Sequence, residues 1–194
     1  MARKIGEESK RKLFQAAEEL FAAKGVHRTK ISEIVAKAGL TQAAFYLYFK
    51  SKEDIFQQML HEFEQQLVVF SNAGKKAADY YPKEVKGYVS ATIADLFRFL
   101  CQNPNLTKIA LRYNEDDHIR KKIVEHIASN MANNQKLGIV KKEVDAKFAA
   151  EALLAVIERL VERYLQSGEK DEKELGEQVA LIFLEGILTS RGSE

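Results

Sequence analysis

The sequence predicts an all-α fold, with a small N-terminal three-helix head followed by a larger helical body, about nine helices in all. Three observations predict it. Apolar residues recur at helical spacing through long segments rich in Ala, Leu, Glu and Lys. No alternating apolar–polar run reaches strand length, and only 2 prolines interrupt 194 residues. Hydroxyl residues stand just before several of these segments and glycines just after, as helix caps and stops do.

Each element follows from local signals. A first helix runs from about Glu7 to Lys24, with Leu13, Ala17, Leu20 and Phe21 on one stripe and Gly25 as its stop. Thr29 caps a second helix that turns Ile31, Ile34, Val35 and Ala38 inward and ends at Gly39. Thr41 caps a third, whose Phe45 and Phe49 point back into the core. Ser51 and Asp54 form a capping box for a long fourth helix reaching about Asn72. Its stripe of Phe56, Met59, Phe63, Leu67 and Phe70 links head to body. Ala73 to Pro82 reads as a loop. The fifth helix spans about Lys83 to Gln102, and the sixth runs from Asn103-Pro104 to about Tyr113. After a polar break from Asn114 to Asp117, the seventh reaches Gln135. The eighth covers about Asp145 to Gln166, closed by Ser167-Gly168, and the ninth Asp171 to Leu188. The head domain is set at residues 1–52 and the body at 53–194.

Charge divides along the same line. Met1 to Lys50 holds 10 Lys/Arg against 5 Asp/Glu, whereas Ser51 to Glu194 holds 20 against 23. A basic head on a slightly acidic body suits a polyanion at one end. The single cysteine, Cys101, excludes an intramolecular disulfide framework and a Cys-based zinc site. No signal peptide or membrane span is legible, so the chain is expected to be cytoplasmic and to have no membrane partner. Catalysis is not expected. His118 and His126 lie about 12 Å apart along a helix, too far for one metal. No phosphate loop or nucleophile elbow is present, Glu115 to His118 reads as a polar helix start, and Cys101 as a small buried hydrophobe. Neither a metal nor another cofactor is called for.

The head carries the chemistry. Thr29 to Phe49 reads as a helix-turn-helix, in which the second helix of the pair enters the major groove and its first residues face base edges. Those residues are Thr41, Gln42, Ala43 and Ala44. The alanines allow close approach, their methyls suit thymine methyls, and the Gln42 amide pairs best with adenine. Tyr46 and Tyr48, one turn on, offer hydroxyls to phosphates. Lys52 sits in the first turn of the fourth helix, where charge and unpaired N–H groups favour an anion. Arg28 and Lys30, beside the start of the second helix, are placed to hold the flanking DNA backbone. Taken singly, the threonines and Ser51 are caps, the tyrosines core or rim, and Lys52 a solvated charge. Their joint spacing in one stretch makes the case for DNA.

That stretch resembles the DNA-binding domain of the TetR family of bacterial repressors. The resemblance rests on Ile34, Val35-Ala36, Ala38-Gly39-Leu40-Thr41 and Tyr46-Leu47-Tyr48-Phe49-Lys50-Ser51-Lys52-Glu53, with Ala17, Phe21 and Gly25 before them. It covers about the first quarter of the chain. It implies phosphate contacts from Thr29, Tyr46, Tyr48 and Lys52, with Thr41 to Ala43 near bases. Leu47 departs from the pattern, since many members carry a polar or basic residue there.

The eighth helix carries Phe148, Ala152, Val156, Leu160 and Tyr164, a stripe widened by Leu153, Ile157, Val161 and Leu165. The ninth adds Leu175, Val179, Ile182, Phe183 and Ile187, with small residues Gly176, Ala180 and Gly186 between them. These stripes either pack on the chain's own body or close a four-helix bundle with a second copy. The resemblance favours a homodimer, whose two-fold axis lets two heads meet successive major grooves of a palindromic operator in double-stranded DNA. It also makes Phe63, Phe70, Tyr88, Phe97, Phe99, Leu100, Ile109 and Tyr113 walls of a small-molecule effector cavity, whose aromatic lining, short of buried charge, favours a lipophilic or flat effector. Otherwise these residues are ordinary core. The rival reading is a helical protein–protein interaction module that never touches DNA. It accounts for the apolar stripes and leaves the head unexplained.

Overall fold

A computed structural model describes residues 2–71, 76, 82–112, 118–165 and 170–185. Among the described residues there are nine α-helices: α1 (Ala2–Lys24), α2 (Ile31–Ala38), α3 (Gln42–Tyr46), α4 (Lys52–Ser71), α5 (Pro82–Gln102), α6 (Pro104–Arg112), α7 (His118–Lys136), α8 (Ala146–Leu160) and α9 (Glu172–Leu184). A wider π turn, Val161–Leu165, extends α8. No described helix is long and apolar enough to cross a membrane. Most of the expected loop from Ala73 to Pro82 lies outside the described residues, as do Tyr113, the break from Asn114 to Asp117, Ser167-Gly168 and Ile187.

The chain divides into two compact units, the first made of Met1–Gln66 and Asn103–Ile119 and the second of Leu67–Gln102 and Arg120–Glu194. In the first unit, α1 packs against α2, α3 and α6. Helix α1 starts at Ala2 and not near Glu7, because Gly6 inside it costs only about 1 kcal/mol against alanine, too little to stop a helix. Leu13, Ala17, Phe21, Ile34, Phe45, Phe49, Ile55 and Phe63 are buried in this unit. Aromatic rings knit the core: Phe45 and Phe14 each lie 5.5 Å from Phe49, and Phe21 meets Phe56 edge-on at 5.7 Å. Edge and tilted pairings of this kind suit the ring quadrupole.

Gly39 closes α2 in the left-handed region at φ 67°, and its amide donates to Ala36 O while that of Leu40 donates to Val35 O. Thr41 caps α3, its Oγ1 accepting from the Ala44 amide at 3.2 Å. Ser51 Oγ accepts from the Asp54 amide, but the Asp54 carboxylate reaches the Lys50 N–H at 2.8 Å, one residue before the partner that a capping box requires. Thr29 does not cap α2. Lys30 stands at that position with extended backbone, and its N–H is taken by Glu33 Oε2 at 2.8 Å.

In the second unit α9 lies directly on α5. At Gly176 a Cβ would stand 2.7 Å from Ser90 O and 2.8 Å from Ala94 N, so the two backbones touch. Leu175, Val179 and Ala180 are buried on that side. Helix α8 turns Ala150 and Leu154 onto Val124 of α7, and Arg120 of α7 pairs with Glu151 and Glu158 of α8. Asp145 and Asp171 cap α8 and α9 through the amides of Lys147 and Phe148, and of Glu174.

Candidate nucleic-acid interface

A shallow hollow of about 450 Å³ opens on the first unit. Ile31 and Ser32 from the start of α2, Gln42 and Tyr46 from α3, and Ser51, Lys52 and Glu53 from the start of α4 line it, with His27, Thr29, Lys30 and Lys50. Two helix N-termini therefore open onto one depression, and the first-turn N–H groups of a helix have no partner within it. Such an edge attracts anions.

The predicted residues are distributed unevenly over this surface. Gln42 and Ala43 are exposed at the beginning of α3, which forms an outward tip, and Tyr46 at its end is 57% exposed. Lys30 and Lys50 are exposed at the rim. Tyr48 is half-buried and outside the hollow, its hydroxyl lying 3.4 Å from where a Cβ on Gly6 of α1 would be. Leu47 projects into solvent at the end of α3.

Two predicted phosphate contacts look inward. Thr29 is 1% exposed, and its hydroxyl donates to Gly25 O at 2.8 Å. Its amide donates to Val26 O. Lys52 Nζ donates to the carbonyls of Val26, His27 and Thr29 at 3.0, 3.0 and 3.1 Å. Both side chains hold the α1–α2 connection in place. Sequence reasoning missed Ser32, Ser51 and Lys50 as lining residues; the one signal for them was their place next to a helix start.

Acidic residues near the hollow are held in their charged form. The Lys24 ammonium and the Lys30 N–H lower the Glu33 carboxyl from its ordinary value, and the Lys50 N–H and Gln58 amide do the same for Asp54. The Lys24–Glu33 pair at 2.6 Å and the Lys37–Glu19 pair at 2.7 Å join α1 to α2.

Of the residues assigned to an effector cavity, Phe63 belongs to the first unit, and Phe70, Tyr88, Phe97 and Leu100 to the second. Tyr113 lies outside the described residues. Phe97 and Leu100 are buried, and Phe70 stacks tilted on Phe99 at 5.5 Å. Burial and the Glu172 carboxylate push the Cys101 thiol up, away from the reactive thiolate. The stripe assigned to a partner subunit is partly exposed: Phe148 is 75% and Ile182 50% exposed, while Ala152, Val156, Leu160, Tyr164 and Phe183 are half-buried. Val179 is the correction. It is 2% exposed, on the α9 face whose Gly176 meets α5, and cannot serve a second copy.

Comparison with known proteins bears on this geometry. A family model described as bacterial regulatory proteins, tetR family, matches residues 13–59. The chain is 34% identical over 184 residues to a helix-turn-helix-type transcriptional regulator, YdgC, of Bacillus subtilis, covering 94% of each chain. It is 26% identical over 188 residues to a fatty acid metabolism regulator protein of the same organism, covering 90% of this chain and 93% of that one. The crystal structure of the regulator FadR from Bacillus subtilis in complex with stearoyl-CoA shares the fold, with a TM-score of 0.67 and 23% identity over 92% of this chain and 99% of that one.

Proposed function

The chain belongs to the tetR family of DNA-binding transcriptional regulators, and from that premise we propose that it is a cytoplasmic repressor. It binds a palindromic operator as a homodimer and is released by a lipophilic small molecule. The observation that carries the reading is the outward tip of α3, with Gln42 and Tyr46 lining a hollow edged by two helix N-termini. In this reading Gln42 and Ala43 face base edges, with Gln42 as the amide reader. Thr41 shapes the helix start as its cap. Tyr46, Lys30 and Lys50 hold phosphates together with those first-turn N–H groups of α2 and α4 that the Ser51 hydroxyl and the Lys30 carbonyl do not already take.

The half-exposed stripe of α8, with Ile182 and Phe183 of α9, supports pairing of two copies through these helices. Phe148 would otherwise leave a large apolar side chain in water. The fatty acid regulator among the relatives and the stearoyl-CoA in the related fold support an acyl-CoA-like effector. The aromatic character of Phe70, Tyr88, Phe97 and Phe99 accords with an acyl chain. Release requires that the effector bind a DNA-incompetent state more tightly than the competent one.

Titrating a random duplex at increasing salt tests the DNA claim: log affinity should fall linearly and steeply with log salt. A protein-only interaction module would show no binding to lose. Adding stearoyl-CoA to a protein–duplex complex, with free coenzyme A as control, tests the effector. Release by the acylated compound alone is expected, and no release by either removes the acyl-CoA assignment.

A further inference from the structure

Lys52 is the first residue of α4, yet it does not behave as a surface cation. A positive charge in the first turn of a helix stands at the unfavourable end of the helix dipole and needs local electron-rich partners. It finds them in the α1–α2 connection. Gly25, at φ 80°, follows the last residue of α1, and the carbonyls of Val26, His27 and Thr29 then converge on one point. The Lys52 ammonium occupies that point and spends its three donors there, one on each carbonyl. Its side chain is 22% exposed, and Glu53 Oε1 stands 3.9 Å away.

We propose that Lys52 is a positioning residue of the DNA interface and not a phosphate ligand. Through its ammonium the start of α4 is tied to the chain segment that leads into α2, so the two N-termini on either side of the hollow keep their spacing. A phosphate can reach the N–H groups of both starts only while that spacing holds. Turning the ammonium to a phosphate would strip three carbonyls of a charged donor at once. The inference rests on the DNA-binding reading and deepens it.

The test is binding of a random duplex by the full-length protein, wild type, Lys52→Met and Lys52→Arg, at a temperature where circular dichroism shows all three folded. Lys52→Met is expected to weaken binding at least tenfold while leaving the slope of log affinity against log salt unchanged, because no phosphate loses an ion pair. Lys52→Arg is expected not to restore affinity, since a planar guanidinium cannot send three N–H groups to three converging oxygens. In the free protein, hydrogen exchange at the Thr29 amide should accelerate in Lys52→Met while the amides of mid-α4 stay protected. If Lys52→Met fails to fold, Lys52→Gln, which keeps two donors, carries the same comparison. A slope lowered by about 0.9 per head, with affinity restored by arginine, makes Lys52 a phosphate ligand and overturns the proposal. Unchanged affinity in Lys52→Met overturns it as well. Wild-type protein that shows no salt-dependent binding overturns the DNA-binding reading itself, and the proposal with it.

Discussion

Gly176→Ala places a methyl group where α9 meets α5. The added Cβ would lie 2.7 Å from Ser90 O, 2.8 Å from Ala94 N and 2.9 Å from Ala94 Cβ. Ordinary contact begins near 3.4 Å, so the helices must part by more than half an ångström, and the obstructing atoms are mainly backbone that cannot rotate away. Overpacking of this kind costs up to about 3 kcal/mol. Replacing a helical glycine by alanine returns about 1 kcal/mol. The net expectation is a loss of about 2 kcal/mol, or a fall in thermal midpoint of about 4–8 °C for a chain of this length. Gly87→Ala is the internal control: it lies in α5 with nothing within 4 Å of the added atom, so only the propensity gain of about 1 kcal/mol remains. Urea unfolding of both variants at one fixed protein concentration measures the difference. If Gly176→Ala is as stable as the wild type, the backbones do not approach as described, and the burial of Val179 loses its explanation.

Further outcomes are expected at other positions. Thr29→Val should cost about 1–2 kcal/mol in urea unfolding, by removing the buried donor to Gly25 O, and should leave the salt slope of DNA binding unaltered. Lys30→Met, at the exposed rim of the hollow, should instead lower that slope by about 0.9 per head with stability unchanged. Gln42→Ala should relax preference at one base position by about 1–3 kcal/mol, read by competition among single-base operator variants. The depressed Asp54 carboxyl contributes stability that is present above its ordinary value of 3.8 and disappears as pH falls through its lower folded value. Asp54→Asn should therefore flatten acid unfolding below about pH 4, measured by circular dichroism.

What the sequence disclosed depended on the range of each signal. Gly39 and Thr41 were legible because a left-handed stop and a hydroxyl cap act on amides within a few residues. Thr29 precedes a helix as a cap does, but whether its hydroxyl points forward to α2 or back to Gly25 is a tertiary fact. The partners of Lys52 lie 23 to 26 residues earlier in the chain, so its basic character suggested a phosphate where three carbonyls wait. On α9 the periodicity joined Leu175, Val179, Ile182 and Phe183 in one stripe, without saying which part of it met α5. The small residue Gly176 marked that face in retrospect, carrying Val179 inward and leaving Ile182 out. Likewise α6 reads as a helix of the body, yet it packs on α1, because amphipathic spacing states that a face is buried and not against what.

Selection of bound duplexes from a random pool asks whether the α3 tip reads sequence as one of a symmetric pair. Enrichment of an inverted repeat is expected, with half-sites about one or two helical turns apart. Gln42→Ala should degenerate the same position in both halves. Enrichment of no motif at all, or of one that Gln42→Ala leaves intact at every position, would mean that the α3 tip does not read base edges.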